Sequence, residues 1–429
     1  MDELERDNYF HSVSLDRDSC KGCTNCVKKC PTEAIRIRNG KAKIIKERCI
    51  DCGECIRICP YHAKKAVTDN YEKIFEYTYK IALPAPTLYG QFSTAKDVNV
   101  ILKALKLLGF DEIYEVLTGA DVVSEATKEY LKRPGITKPI INSACPAVVR
   151  LIQIRFPNLV DHILPLMSPV EYVARQAKKS AAEKTGLSEN EIGVFFISPC
   201  AAKMTSYINP LGLEKSALDG VISIADIYGE CAPFISKLVA DENLTKATAT
   251  GLSWAISGGE TKNLNIEKSI SVSGISNVIK VLEELDDERL DDIDFVECLA
   301  CTGGCVGGAL TVENPFVASA RISQIAKNFD INYIEQGTVS PDSIMLEKEI
   351  EYIPVMNLGK TMKESMEIMA KTQQIYETMP RLDCGSCGAP SCNALSEDIA
   401  RGYAKELDCV FKFKEKLNFL INEMNQLDD

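Results

Sequence analysis

The residues of this chain best equipped for chemistry are its cysteines, eighteen in 429 residues. A first group reads Cys20-Lys-Gly-Cys23-Thr-Asn-Cys26-Val-Lys-Lys-Cys30-Pro31 and repeats as Cys49-Ile-Asp-Cys52-Gly-Glu-Cys55-Ile-Arg-Ile-Cys59-Pro60. A last group reads Leu382-Asp-Cys384-Gly-Ser-Cys387-Gly-Ala-Pro-Ser-Cys392 and is completed by Cys409 after sixteen intervening residues. Between them lie Cys145, Cys200, Cys231, Cys298, Cys301 and Cys305. Closely spaced thiolates hold iron–sulfur clusters or zinc. His11, His62 and His162, the only histidines, are not at ligand spacing from one another and read as surface or packing residues.

Each run of the first group has the C-x2-C-x2-C-x3-C-P spacing of the bacterial ferredoxins, which it resembles. A short loop wraps three corners of a cubane, and the cysteine before proline ligates the other cluster. Cys20, Cys23, Cys26 and Cys59 are thus expected to hold one [4Fe–4S] cluster, and Cys30, Cys49, Cys52 and Cys55 a second. Zinc also takes four thiolates, but the duplicated pattern with both prolines argues against it. The last group resembles the single-cluster domain of corrinoid iron–sulfur proteins and redox-complex subunits. There a loop offers Cys384, Cys387 and Cys392, and a helix over 394–401, with Gly402 near its end, leads back to Cys409. A third [4Fe–4S] cluster is expected, with a zinc site as the alternative.

The elements that must position the sparse central cysteines follow from periodicity. Strands are expected at 80–83, 112–116, 139–143, 192–197, 220–224 and 294–297, and helices at 98–108, 170–184 and 276–284. Such alternation implies an α/β architecture with partly parallel sheets. Cys145, Cys200 and Cys301 each follow a strand, and loops beyond the carboxyl ends of parallel strands build ligand sites. Cys305, four residues later, adds a thiolate from the same loop. By themselves, buried cysteines would more plainly be small packing residues.

Composition narrows the class. A net charge of −12 and a pI near 5.1 argue against nucleic acid or an anionic membrane as partner. The acidic runs Asp286-Asp287-Glu288 and Asp291-Asp292 read as solvated loop faces. No apolar core follows Met1-Asp2-Glu3-Leu4-Glu5-Arg6, and no run approaches the roughly 18 apolar residues of a membrane span. A cytoplasmic location is expected, where thiols stay reduced and cysteines bind metals rather than pair.

The local sequence around the central cysteines is specific. Ser143-Ala-Cys145-Pro146, Ser198-Pro-Cys200-Ala-Ala-Lys203 and Glu297-Cys-Leu-Ala-Cys301-Thr-Gly-Gly-Cys305-Val-Gly-Gly308 resemble the three signature loops of [FeFe]-hydrogenases. Leu83-Pro-Ala-Pro-Thr-Leu-Tyr-Gly90, Gly119-Ala-Asp121 and Gly274-Ile-Ser-Asn277 support the match. The resemblance covers roughly residues 80–312 and the ferredoxin-like module before them. It implies an H-cluster, a [4Fe–4S] cubane on Cys145, Cys200, Cys301 and Cys305. Cys305 also bridges to a diiron unit carrying CO, cyanide and azadithiolate. Lys203 matches the lysine that holds a cyanide nitrogen, a strong charge-assisted bond in a dry pocket. Glycines 303, 304, 307 and 308 are expected to let backbone approach the inorganic core. The implied reaction is heterolytic H2 cleavage or formation, with the clusters carrying electrons.

Departures from the family pattern shape the functional expectation. Ala144 stands where most members carry a proton-relaying cysteine, Ser198 and Leu299 replace methionines beside the diiron unit, and Glu125 is assigned no relay role. The pattern resembles the sensory hydrogenases, which pair such loops with a C-terminal iron–sulfur domain. The expectation is an H2-sensing hydrogenase of low turnover. The alternatives are a turnover-competent, ferredoxin-linked hydrogenase and an iron–sulfur scaffold or electron carrier without diiron. Its partners would be H2 and protons, a redox or signalling protein, hydrogenase maturation proteins and a second copy in a homodimer. The expected organisation is a two-cluster ferredoxin-like α+β domain (1–78), an α/β H-cluster domain (79–345), a helical linker (346–381, with a helix at 358–379) and a C-terminal 4Fe–4S domain (382–429) ending in a helix at 411–427. Cys231 and Cys298 are read as packing residues.

Overall fold

The computed structural model describes residues 10–95, 97–330 and 339–427, so the basic and acidic residues at the extreme N-terminus lie outside the described residues. The two cysteine runs fold into a small α+β unit. Strand β1 (Val13–Leu15) pairs antiparallel with β4 (Lys64–Ala66), and β2 (Ile35–Arg38) forms a hairpin with β3 (Lys41–Ile44). The hairpin turn holds Asn39 and Gly40 at φ of 53° and 69°, which suits the right-handed twist of the strands. Helices α1 (Asn25–Lys28) and α2 (Glu54–Arg57) each carry the third cysteine of their run.

Two parallel sheets build the central part. Strands β5 (Tyr79–Pro84), β6 (Glu112–Ile113), β8 (Ile192–Ser198) and β9 (Gly220–Ser223) lie in the order β6-β5-β8-β9. Strands β7 (Ile140–Ile141), β10 (Ser269–Ser273) and β11 (Phe295–Leu299) lie in the order β10-β11-β7. Helices α3 (Val98–Leu107), α4 (Val116–Tyr130), α5 (Pro146–Arg155), α6 (Pro169–Thr185) and α7 (Ala201–Ile208) are followed by α8 (Ile224–Cys231), α9 (Ala249–Ser253), α10 (Gly259–Leu264), α11 (Ile275–Asp286) and α12 (Pro315–Ala326). β8 is apolar along nearly its whole length because both faces are covered. Phe195 and Ile197 pack towards Ile101, Leu102 and Leu105 of α3, while Val194 and Phe196 pack towards Val170, Val173 and Ala177 of α6.

Several expected boundaries change. The strand expected at 112–116 ends at Ile113, and Val116 instead opens α4. Gly119 lets that helix lie against α6, since a Cβ there would come within 2.6 Å of Pro169 O. The strand expected at 220–224 stops at Ser223, whose hydroxyl accepts from Asp226 N (3.0 Å) and caps α8. β7 is only two residues long. β10, with no strong alternation, was not anticipated. Cys298 lies inside β11 and Cys231 at the end of α8, both in the core.

The C-terminal segment contains α13 (Met362–Thr378), α14 (Cys392–Ala400) and α15 (Val410–Leu427). The helix expected from 358 begins at 362 because the Thr361 side chain accepts from Glu364 N. This segment docks on the cysteine-rich unit rather than on the parallel sheets. Ile37 N of β2 donates to Gly388 O (2.8 Å), Asp398 receives Arg36 Nε (2.8 Å) and Arg38 Nη2 (2.6 Å), and Arg48 Nη2 reaches Glu397 (3.0 Å). No described helix is long and apolar enough to cross a membrane.

Candidate functional site

In the cysteine-rich unit, one cavity is lined by Cys20, Cys23, Cys26 and Cys59, and another by Cys30, Cys49, Cys52 and Cys55. Each quartet thus joins three cysteines of one run to the last cysteine of the other. The near-duplicate runs use the same local device: Ala34 N donates to Cys30 Sγ (3.2 Å) and Ala63 N to Cys59 Sγ (3.3 Å). Among the described residues, the one group drawn close enough for a single ion is His11, Cys49 and Asp51. No cysteine quartet is drawn in that tightly, as suits a multi-atom cluster better than a zinc tetrahedron.

The central site forms where both sheets end. Cys145 and Cys200 occupy the residues just before α5 and α7, where the positive end of the helix favours a thiolate. Cys301 and Cys305 come from the loop after β11. Leu310 N donates to Pro199 O (3.1 Å) and Val306 N to Ala255 O (3.1 Å), stitching that loop to its neighbours. The glycines there serve protein packing: a Cβ on Gly308 would lie 2.1 Å from Pro199 O, and one on Gly307 2.2 Å from Thr302 O. At Gly307 the room is taken by its own loop and at Gly308 by the loop of Cys200, so a side chain at either position would force these loops apart.

Burial pushes Cys200 up to about 12 and raises Cys301 and Cys305, each further raised by its neighbouring thiols. All three count another of the four among their electrostatic neighbours, and Cys145 is among them each time. Burial lowers the Lys203 ammonium while Cys200, Glu171, Cys145 and Cys305 pull against it. Among the described residues Lys203 makes no hydrogen bond. A half-buried ammonium without a hydrogen bond, beside a thiol quartet, fits an anionic iron cluster with anionic diatomic ligands.

Ala144 lies between Ser143, whose hydroxyl donates to Leu166 O (3.1 Å), and Cys145. The Ser198 hydroxyl is used by the loop itself, accepting from Cys200 N (3.1 Å). Leu299 ends β11 and is buried. Asp121 and Glu125 lie a turn apart on α4. Asp121 is pushed up to about 6 by burial, against a hydrogen bond from Thr248 Oγ1 (2.7 Å), and Glu125 pairs with Lys128 (2.7 Å).

Sequence reading missed a second acid pair. Glu260 on α10 and Glu297 on β11 are both buried and are electrostatic neighbours. Asn142 Nδ2 donates to Glu260 Oε2 (2.9 Å), and Asn142 Oδ1 accepts from Cys298 N (2.8 Å). Glu297 receives Gly258 N and Thr261 N, each at 2.8 Å. Burial and then the Glu297 charge push Glu260 up to about 8, while burial raises Glu297 against its hydrogen bonds. The one available signal was Asn142, three residues before Cys145.

At the C-terminus Cys387, Cys392 and Cys409 share a small core, and Cys384 and Cys409 are electrostatic neighbours of Cys387. Asp383 Oδ1 accepts from Cys392 N (2.6 Å) and shapes the loop.

A parallel α/β domain with a half-buried thiol quartet, beside two further quartets in a cysteine-run unit, defines an iron–sulfur protein of the redox class. A family model described as iron only hydrogenase large subunit, C-terminal domain, matches residues 78–262 and 234–309, together more than half of the chain. A 4Fe-4S dicluster domain model matches 12–60, and an Fe-S cluster model matches 379–411. The chain belongs to the [FeFe]-hydrogenase family. It is 31% identical over 220 residues to the periplasmic [Fe] hydrogenase large subunit of Nitratidesulfovibrio vulgaris, covering 47% of this chain and 52% of that protein. It is 26% identical over 377 residues to iron hydrogenase 1 of Clostridium pasteurianum, covering 70% and 65%. It thus spans from about half to about two thirds of these relatives' length. A shorter match, 30% over 112 residues and 17% of the relative, is to the cytosolic Fe-S cluster assembly factor nar1 of Emericella nidulans. A variant of the [FeFe]-hydrogenase HydA1 from Chlamydomonas reinhardtii shares the fold, with a TM-score of 0.52 at 17% identity over 65% of this chain and 95% of that one.

Proposed function

We propose that this chain is an H2-responsive redox protein of low turnover, working in the cytoplasm and passing its signal to a redox or signalling partner. The observation that carries this reading is the pairing of a complete ligand set, Cys145, Cys200, Cys301, Cys305 and Lys203, with Ala144 where a proton carrier is expected. Cys305 would be the bridging thiolate, and Lys203 would hold an anionic diatomic ligand. When bound, the H-cluster supplies heterolytic cleavage of H2. The Ala144 methyl group has no proton to give or take, so the short relay is cut at that atom.

The quartets support a line for electrons. The Cys301 loop meets the Cys52 loop, which belongs to the quartet of Cys30, Cys49, Cys52 and Cys55. That quartet neighbours the one of Cys20, Cys23, Cys26 and Cys59. Ile37 lines this second cavity and also hydrogen-bonds Gly388 of the C-terminal segment. The C-terminal quartet, Cys384, Cys387, Cys392 and Cys409, thereby becomes the outlet of the line.

A second reading, a working hydrogenase, is favoured by the Glu260–Glu297 pair. Glu260 can hold a proton on a buried carboxyl oxygen near neutral pH, one residue from the Cys298 amide through Asn142.

Infrared spectroscopy of protein matured without oxygen with the hydrogenase maturation proteins, first under argon and then H2, tests the proposal. CO and cyanide bands that shift with H2, together with slow turnover, are expected. Absent bands, beside a control hydrogenase that matures, would leave the scaffold or electron-carrier reading.

A further inference from the structure

One guanidinium touches the ligand loops of two different quartets. Arg57 ends α2 in the second cysteine run. Its Nη2 donates to Cys52 O (3.0 Å) and to Glu54 Oε1 (2.6 Å). Its Nη1 donates to Gly307 O (2.9 Å) and lies 3.7 Å from Cys301 Sγ. The loops meet closely because residue 53 is glycine: at φ 77°, a Cβ there would stand 2.5 Å from Ala309 Cβ. The guanidinium and the Glu54 carboxylate are 28% and 23% exposed, partly shielded from water.

We propose that Arg57 is a positioning residue for electron transfer between the ferredoxin-like unit and the H-cluster domain. Its two arms fix the Cys52 loop against the Cys301 loop, and its charge favours reduction of the cubane held by Cys145, Cys200, Cys301 and Cys305. In the transfer one electron leaves the reduced cubane on Cys30, Cys49, Cys52 and Cys55 and enters the other, so the first is oxidised as the second is reduced. Reduction makes the receiving cluster more negative. A cation beside one of its thiolates stabilises that state, more strongly away from bulk water. Glu54, pinned to the same guanidinium, opposes it. The inference rests on the ligand assignment proposed above, but on no step of H2 chemistry.

The test uses the full chain loaded with cubanes but not diiron, titrated potentiometrically with electron paramagnetic resonance. The signal of the central cubane is identified by its loss in Cys145→Ala. Arg57→Gln is expected to move its reduced-to-oxidised ratio at fixed potential about tenfold towards the oxidised form, about 59 mV for a one-electron couple. Arg57→Lys should recover most of that shift, and Glu54→Gln should shift the ratio the other way. If Arg57 and Glu54 were only a structural clamp, both glutamine variants would move the ratio in the same direction, and that result overturns the proposal. An unmoved ratio in Arg57→Gln, with the central signal intact, overturns it as well. A wild-type chain without the central signal, and with iron for fewer cubanes, overturns the ligand assignment and the proposal together.

Discussion

Glu260 and Glu297 are two buried carboxyls close enough to feel each other's charge, each held by its own donors, with Asn142 tying Glu260 to the Cys298 amide. Two carboxylates this close and this dry cannot both be charged cheaply, so the pair keeps a proton at neutral pH. The folded pKa of Glu260, about 8, lies above its ordinary value of 4.5. The folded state therefore binds the extra proton, and its contribution to stability is present below pH 4.5 and lost as pH rises through 8. Glu260→Gln should flatten the fall of Tm between pH 5 and 8. If the pair relays protons, the same variant should cut H2 turnover by about 100-fold. Unchanged turnover removes the second functional reading.

Restoring a proton carrier tests the first reading. Ala144→Cys should raise turnover by about 100-fold, the low end of the usual range for a positioned acid–base group, with the CO and cyanide bands kept. Activity assays on variant and parent, matured side by side, decide it.

Lys203 is the cation among the residues that the match singles out, and Cys200, Cys145 and Cys305 are its electrostatic neighbours. Lys203→Met should leave the iron content of the cubanes intact and abolish the CO and cyanide bands, because the diiron unit loses its charge-assisted anchor. Bands that persist at wild-type intensity would refute its role.

Asp398 fastens the C-terminal segment to β2. Its side chain and that of Arg36 are 9% and 5% exposed. Removing one partner of such a pair strands the other charge and costs about 3 kcal/mol. Asp398→Asn should thus loosen the segment and let a protease release a C-terminal fragment from the chain. Wild-type resistance would mean the contact is dispensable.

Helix α15 presents Val410, Phe413, Leu417, Leu420 and Met424 at alternating steps of three and four, each between 45% and 65% exposed. Apolar residues at this spacing are what a two-helix coil uses as its seam. In an antiparallel pair of copies, Lys416 of one would lie opposite Glu423 of the other. Leu417→Glu is expected to convert a dimer into a monomer in sedimentation velocity. A parent that is already monomeric at micromolar concentration would exclude the pairing.

What the sequence determined by itself is local. The spacing of Cys20, Cys23 and Cys26 and of their repeat is a property of a few adjacent residues, so it was legible without a fold. The apolar run of β8 and the periodicity of α3, α6 and α11 likewise announce their burial within one element. Boundaries were less legible where one residue serves two elements: Ser223 ends a strand by capping a helix, and Val116 suits a strand by type but faces a helix core. Only the tertiary structure decided the long-range pairs. Arg57 meets Cys301 across 244 positions, and Arg36 meets Asp398 across 362. Glu260 meets Glu297 from a helix and a strand that no common period links. Periodicity reports which face of an element is buried, but not which charged group another element will bring to that face. That choice is made by how the sheets, loops and cysteine units pack, and the features that tune this site belong to it.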